Sequence, residues 1–350
     1  MVLDRIFLIG LAFVPLALLA AYLPLGASAV FILSGLAIIP LAKFLSDATD
    51  ELAVRAGPAV GGLLNATFGN ATELIIGILA LSSGLVTVVK ASILGSILGN
   101  LLFVLGFAIF FGGVSRVRQT FNATAARASA TVLLLSAAAL VIPAIFFLTG
   151  TRAAGTTEEL SLAVAVLMLA VYGGNLLFTL RTHRHLYVDG EAERSLPSRS
   201  IGANLLLLAA TTGAIAVMSD LLVGAIEPVL SGFGWSELFV GAIVLAIIGN
   251  AGEHVSAVTA AVRGKMNLAL QISIGSATQI LMLVMPVLVF TGAFFAKKLT
   301  LVFSGFELVA LISAIFIVNS VIEDGETNWF EGFLLLIVYL IVAVAFFLLP

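Results

Sequence analysis

The chain has 350 residues, 61% hydrophobic and 10% charged, with a formal net charge of -3. A soluble globular domain carries about 25% charged residues, so this composition excludes one and points to a membrane protein. Zero cysteines exclude disulfides, thiolate metal sites and cysteine nucleophiles.

Runs of about 20 apolar residues cross the hydrocarbon core as helices, and the alternating pattern of an outer-membrane barrel is absent. The predicted fold class is an all-α polytopic membrane protein with eleven spans, at roughly 6–25, 27–46, 58–83, 86–112, 123–149, 158–181, 200–224, 235–262, 267–293, 299–322 and 328–349. Arg5, the apolar run after it and "ASA" at 27–29 have the look of a secretory signal. That run exceeds the 7 to 15 residues of a signal h-region, so it is read as a retained helix.

Orientation follows from lysine and arginine. With the N-terminus cytoplasmic, the inner side receives Arg5, Lys43, Arg55, Arg116, Arg118, Arg127, Arg181, Arg184, Arg194, Arg199, Arg263 and Lys265. The outer side receives only Lys90, Arg152, Lys297 and Lys298. This positive-inside bias places the N-terminus in the cytoplasm and the C-terminus outside. The chain begins directly with its first span, which suggests a prokaryotic cell membrane.

The long polar interruption "RTHRHLYVDGEAERSLPSR", 181–199, divides the chain into two halves. "GNATE" at 69–73 and "GNAGE" at 249–253 align at an offset of 180. The same offset pairs Val60 and Gly61 with Val240 and Gly241, Ala66 with Ala246, and Gly95 and Ser96 with Gly275 and Ser276. The expected organisation is an additional first helix, 1–26, repeat one over 27–181, a cytoplasmic linker, 182–199, and repeat two over 200–350. Five spans per repeat is an odd number, so the second copy enters the membrane from the other side. Inverted repeats of this kind are typical of secondary transporters, with a midplane site where the repeats meet.

Glu73, Glu253 and Glu307 are the deep acids of the pattern. A charge at the bilayer centre costs at least about 2.5 to 3.5 kcal/mol, which makes an intramembrane acid a functional candidate. Helical spacing sets Thr67, Asn70 and Glu73 on one face, and Asn250, Glu253 and Ser256 on another. In the following spans Asn100 stands four residues beyond Ser96, and Gln279 three beyond Ser276. Carboxylates, amides and hydroxyls are oxygen ligands, the set that hard divalent cations prefer. Gly69, Gly249, Gly95 and Gly275 read either as small-residue packing sites or as local breaks that expose carbonyls. Two bare carboxylates in a dry pocket repel each other and lack hydration, so they call for a divalent ion or for protons. One site neutralised in either way, with access alternating between the two membrane faces, is a cation/proton antiporter.

"GGLLNATFGNATELIIG" at 61–77 and "GNAGEH" at 249–254 resemble the two alpha-repeat signatures of the calcium/proton exchangers, a branch of the calcium/cation antiporter superfamily. "GSILGNLL" at 95–102, "GSATQI" at 275–280 and "TNWFEG" at 327–332 extend the resemblance over essentially the whole chain. It implies the eleven-helix inverted-repeat fold and exchange of Ca2+, as transported ion, for H+, with no permanently bound cofactor. It also implies metal and proton binding at Glu73 and Glu253, supported by Asn70, Asn250, Ser96, Ser276 and Gln279. The superfamily's sodium/calcium exchangers place a proline before the acid, and neither half here does, which favours protons over sodium. Gly252 departs from the family, which more often has a residue with a side chain there.

His254 belongs to the same signature and is a candidate for proton traffic, although a packed histidine explains it as well. Asp47, Asp50 and Glu51 near one mouth, and Asp220 and Glu227 near the other, are candidate gate or mouth acids that would concentrate cations. Glu51 and Glu227 resemble family acids on two helices that move as gates. Glu307, about eight residues into span ten, pairs by symmetry with Arg127 and so makes no symmetric site. The alternatives are a sodium-coupled exchanger and a cation channel. No His-Glu-x-x-His and no Gly-x-Ser-x-Gly supports an enzyme. The expected partners are Ca2+, H+ and the lipid bilayer, with no nucleic acid, and homo-oligomer formation is left open.

Overall fold

The computed structural model describes residues 2–148, 155–183 and 199–349. The expected linker, 182–199, lies almost wholly outside the described residues, as do Arg152, Arg184, His185 and Arg194.

The chain opens with α1, Val2–Gly10, and α2, Phe13–Tyr22, followed by the long helix α3, Ala27–Phe68. Next come α4, Ala71–Ser82, and α5, Val86–Leu98, which runs through a π-helical turn, Gly99–Val104, into α6, Leu105–Gly113. Strand β1, Gln119–Thr120, leads to α7, Ala123–Leu148, and α8, Thr156–Leu177, ends in a second π-helical turn, Phe178–Thr182. Helix α9, Ile201–Gly224, is capped by Ser200, whose hydroxyl accepts from the Ala203 amide. The chain continues with α10, Ile226–Phe233, the short α11, Glu237–Phe239, a π-helical turn, Val240–Leu245, and α12, Ala246–Gly249. Helix α13, Ala251–Val262, leaves the preceding segment at 60°. Helix α14, Met266–Gln279, passes through a π-helical turn, Ile280–Val284, into α15, Met285–Gly292. Helix α16, Gly305–Val321, strand β2, Glu326–Thr327, and α17, Trp329–Leu348, complete the described fold.

Eight helices among the described residues are long and apolar enough to cross a membrane, or nine with the bent pair Glu237–Gly249 and Ala251–Val262 counted as one span. Their burial separates centre from periphery. Apolar windows in Val86–Gly113 and Met266–Gly292 are 83% and 72% buried, against 33% or less for Ala123–Leu148, Thr156–Thr182 and Trp329–Leu348. The first two are the central pair, and the outer helices present apolar faces outward as lipid-facing helices do. Several hydroxyls inside the spans are satisfied locally: Ser34, Thr211 and Thr278 each donate to the carbonyl four residues earlier.

Two expectations are corrected. The chain is helical through 46–57, where a loop is expected, and only kinks at Gly57 (φ 81°, ψ 176°). Charges there lie on a helix face: Lys43 pairs with Asp47 one turn on, and Glu51 reaches toward α9. Second, Glu307 is not deep in a span. It is the third residue of α16 and closes a capping box, with Ser304 N–H donating to its Oε2 at 2.7 Å and Ser304 Oγ accepting from its amide. The structure also adds a strand pair that the sequence does not signal. β1 and β2 pair antiparallel, Gln119 with Thr327 and Thr120 with Glu326, an exchange of two residues too short to leave a periodic pattern.

Candidate cation site at two helix breaks

Two breaks in helical geometry bring the acids inward. Asn70 (φ -106°, ψ 19°) separates α3 from α4, and Asn250 (φ -92°, ψ 10°) separates α12 from α13. The departure falls on the asparagines, while Gly69 stays helical (φ -58°, ψ -37°). Each asparagine precedes a new helix whose third residue is the acid, so Glu73 and Glu253 both occupy a first turn. Backbone N–H groups and the positive dipole end favour negative charge there. Because the helix breaks before Asn70, Thr67 does not share its face: its exposed hydroxyl donates to Leu63 O. Ser256 likewise donates back to Gly252 O.

Glu73 reaches across to the opposite break, where a Cβ built on Gly249 would meet its Cγ at 3.4 Å. Six of the seven residues expected to form a site pair with one another by hydrogen bonds. Asn70 Nδ2 donates to Gln279 Oε1 at 2.7 Å, and Asn250 Nδ2 donates to Ser96 Oγ at 2.8 Å. Ser276 Oγ donates to Glu253 Oε2. Glu73 and Ser96 line a small cavity, together with Ser92 and apolar walls from Ile76, Val88, Val284 and Leu288. Glu253 is not among its lining residues.

Asn100 joins this cluster as the amide that links Asn250 to Ser276. Its Nδ2 donates to Asn250 Oδ1 at 3.0 Å and to Ser276 Oγ at 2.8 Å. A search by repeat symmetry passes over it, because Ile280 stands at the equivalent position; Ser92 is missed for the same reason, opposite Ile272. The spacing Ser96 to Asn100, one helical turn, is the signal that finds it.

Glycine sets the helix contacts around the site unequally. A Cβ on Gly95 would run into the carbonyl of Ala242, and one on Gly241 would come 2.6 Å from Ala91 Cβ, so α5 packs backbone to backbone on the π-helical turn 240–245. Gly275, the repeat-equivalent of Gly95, has nothing within 4 Å of such an atom. Gly252 lets α13 approach Ala42 of α3, with a Cβ there 3.0 Å from its carbonyl oxygen.

The remaining candidates sit apart from the cluster. The His254 ring packs at 5.7 Å against Phe103, which in turn contacts Phe107 and Tyr339. Asp47 is matched by Lys43. Glu51 accepts from Arg199 N at 3.0 Å, Arg199 Nη1 at 3.2 Å and Asn204 Nδ2 at 2.9 Å, which ties α3 to the start of α9. Glu227 and Asp220 are exposed.

Known proteins share this chain's sequence and fold. It is 47% identical to a Ca(2+)/H(+) antiporter of Synechocystis sp., over 99% of this chain and 98% of that one. It is 41% identical to a Ca(2+)/H(+) antiporter of Aphanothece halophytica, over 99% and 97%. The solved structure of native YfkE matches with a TM-score of 0.87 at 39% identity, over 98% of this chain and 100% of that chain. The family described as sodium/calcium exchanger protein matches residues 26–181 and 203–348, so both helix breaks fall inside it. The chain belongs to the sodium/calcium exchanger protein family and groups there with relatives named Ca(2+)/H(+) antiporters.

Proposed function

We propose that this chain is a secondary transporter that exchanges Ca2+ for protons by alternating access, with Glu73 and Glu253 taking metal or protons in competition. One observation supports the reading: Glu73 packs on Gly249, at the break that precedes Glu253, and Glu253 is joined to a network of hydroxyl and amide groups. Among the described residues neither acid has an ion pair, so a cation or protons must supply the balance.

The architecture we infer is an additional first helix followed by inverted five-helix repeats, 27–181 and 200–350, joined by the cytoplasmic linker 182–199. Adding the 58–82 segment and Gly305–Val321 to the nine spans gives eleven. The N-terminus is cytoplasmic and the C-terminus outside, in a prokaryotic cell membrane. The contrast between Gly95, closed against Ala242, and Gly275, with open space around it, supports alternating access: two equivalent surfaces in different states. In this orientation the closed contact lies on the outer side, so the conformation faces inward.

The relatives' names favour protons, while the description of the family keeps a sodium-coupled reading alive. Purified chain in sodium-free liposomes separates them. An imposed pH gradient should drive Ca2+ movement, and Glu73→Gln and Glu253→Gln should each abolish it. Movement that persists in either variant rejects the role of these acids, and movement that requires a sodium gradient rejects proton coupling. Lowering the pH on the Ca2+ side should raise the Ca2+ concentration for half-maximal uptake, since both ions neutralise one coupled pair.

A further inference from the structure

We propose that Arg116 and Lys297 are positioning residues for ion binding: each fastens the far end of one acid-bearing helix to the other half of the chain, and together they fix where Glu73 and Glu253 stand. This deepens the exchange reading and rests on it.

Helices α4 and α13 have 12 residues each, with the acid in the first turn and a break immediately before it. The break uncouples each from the helix ahead, so its far end decides its tilt. About 14 Å of helix separates the acid from that end, and a tilt of about 4° there moves the acid by about 1 Å. Ligand groups must hold their places to within about 0.5 Å.

The two far ends are built alike, 180 positions apart. Gly84 (φ 77°) and Gly264 (φ 79°) adopt the left-handed conformation. Gly84 N–H donates to Leu81 O and Leu85 N–H to Ala80 O; Gly264 N–H donates to Ala261 O and Lys265 N–H to Ala260 O, all at 2.9 Å. This is a Schellman end, and it leaves the last carbonyls of the helix to be met from outside.

In both halves a cation meets them, carried by the segment that follows the central helix of the opposite half. Arg116, beyond α6, donates from Nη2 to Val262 O at 2.9 Å and from Nη1 to Ala261 O at 3.3 Å. Its Nη1 also donates to Gly112 O at the end of α6. Lys297, beyond α15, donates to Gly84 O at 3.1 Å, and its neighbour Lys298 donates to Ala293 O at the end of α15. One planar guanidinium does in the first half what two ammonium groups share in the second. Positive charge also suits the negative end of the helix dipole. Each acid helix is thus tied to the half that carries the other acid.

Isothermal titration of Ca2+ into the purified full chain in detergent tests this, with thermal unfolding alongside. Arg116→Met should raise the Ca2+ dissociation constant at least ~5-fold, since groups that orient metal ligands govern affinity from outside the coordination shell. Lys297→Met should raise it at least ~2-fold, and Lys297→Arg should restore it. Arg116→Lys, which keeps only part of the fork's bonds, should fall between Arg116→Met and wild type. The sign is diagnostic: removing a positive charge makes the long-range field more attractive to Ca2+, so the field alone gives tighter binding. Arg118→Met, which removes a cation of the same segment whose partner is Glu326, should not weaken binding. An unmoved or lower dissociation constant in Arg116→Met, with or without a lower unfolding midpoint, overturns the assignment, as does equal weakening in Arg118→Met. Should Arg116→Met fail to elute as a monodisperse species, Lys297 decides: no weakening in Lys297→Met overturns the assignment. A wild-type chain that does not bind Ca2+ overturns the exchange reading itself, which keeps the two failures distinct.

Discussion

The side chain of Glu73 rests on Gly249, with a Cβ built there 3.4 Å from its Cγ and 3.6 Å from its Oε1. A methyl group fits at ordinary contact distance; a larger side chain must displace the acid. Gly249→Ala should change the Ca2+ dissociation constant by less than ~3-fold, and Gly249→Leu should abolish saturable binding while the protein still elutes as a folded species. Isothermal titration with Ca2+ checks both.

Gly95 and Gly275 should respond oppositely to the same substitution. Gly95→Ala forces a methyl into the Ala242 backbone and should cost about 1 to 3 kcal/mol, read as a lower thermal unfolding midpoint. Gly275→Ala meets nothing and should be neutral, or stabilising by about 0.5 to 1 kcal/mol as helix glycine is replaced. Gly275→Leu should keep the fold and stop vesicle transport, because it fills the surface that the other state needs to close.

Glu51 is a latch between α3 and α9. Its ion pair with Arg199 is partly exposed and contributes little, but Asn204 has no exposed surface and donates to Glu51 Oε2. Glu51→Ala leaves that amide unmatched and should cost about 1 to 3 kcal/mol. Glu51→Gln, which keeps an acceptor, should recover most of the loss. Thermal unfolding of both variants, alone and with Asn204→Leu, gives the coupling between the two side chains.

The paired signatures make the acids, their amides and their hydroxyls legible in the sequence, because a glutamate inside an apolar span is too costly to recur at the same place without an ion to bind. Asn100 is legible as an amide one turn beyond Ser96, but its link between Asn250 and Ser276 is not, since its equivalent Ile280 breaks the symmetry that guides the search. Glu51 and Asp47 read as a negative mouth from sequence alone; their partners Arg199 and Lys43 become visible only with the helix that aligns one pair and the crossing that makes the other. The run 46–57 resembles a loop because charge in a membrane protein usually means water, whereas here a helix carries those charges on one face. Glu307 reads as deep because hydropathy alone extends the span back past Ser304, three residues before it, and so hides the cap.

Glu307 should therefore matter for folding and not for transport. Glu307→Ala removes one arm of the capping box and should cost about 0.5 to 2 kcal/mol, and Glu307→Gln, which can still close the box, should cost less. Both should retain Ca2+ uptake in vesicles. Loss of uptake in a thermally stable Glu307→Gln would assign this acid to the ion path.

The two-residue pairing of β1 with β2 stitches a loop of the first half to a loop of the second, and Arg127 adds a bond to Glu323 O beside it. That seam fastens the connection between α6 and α7 to the one between α16 and α17, and we propose that these four helices act as a stator while α3 and α9, packed on each other, move together. A disulfide engineered between Thr120→Cys and Glu326→Cys, which face each other across the seam, would then leave turnover running, while a covalent staple from α3 to any stator helix would halt it.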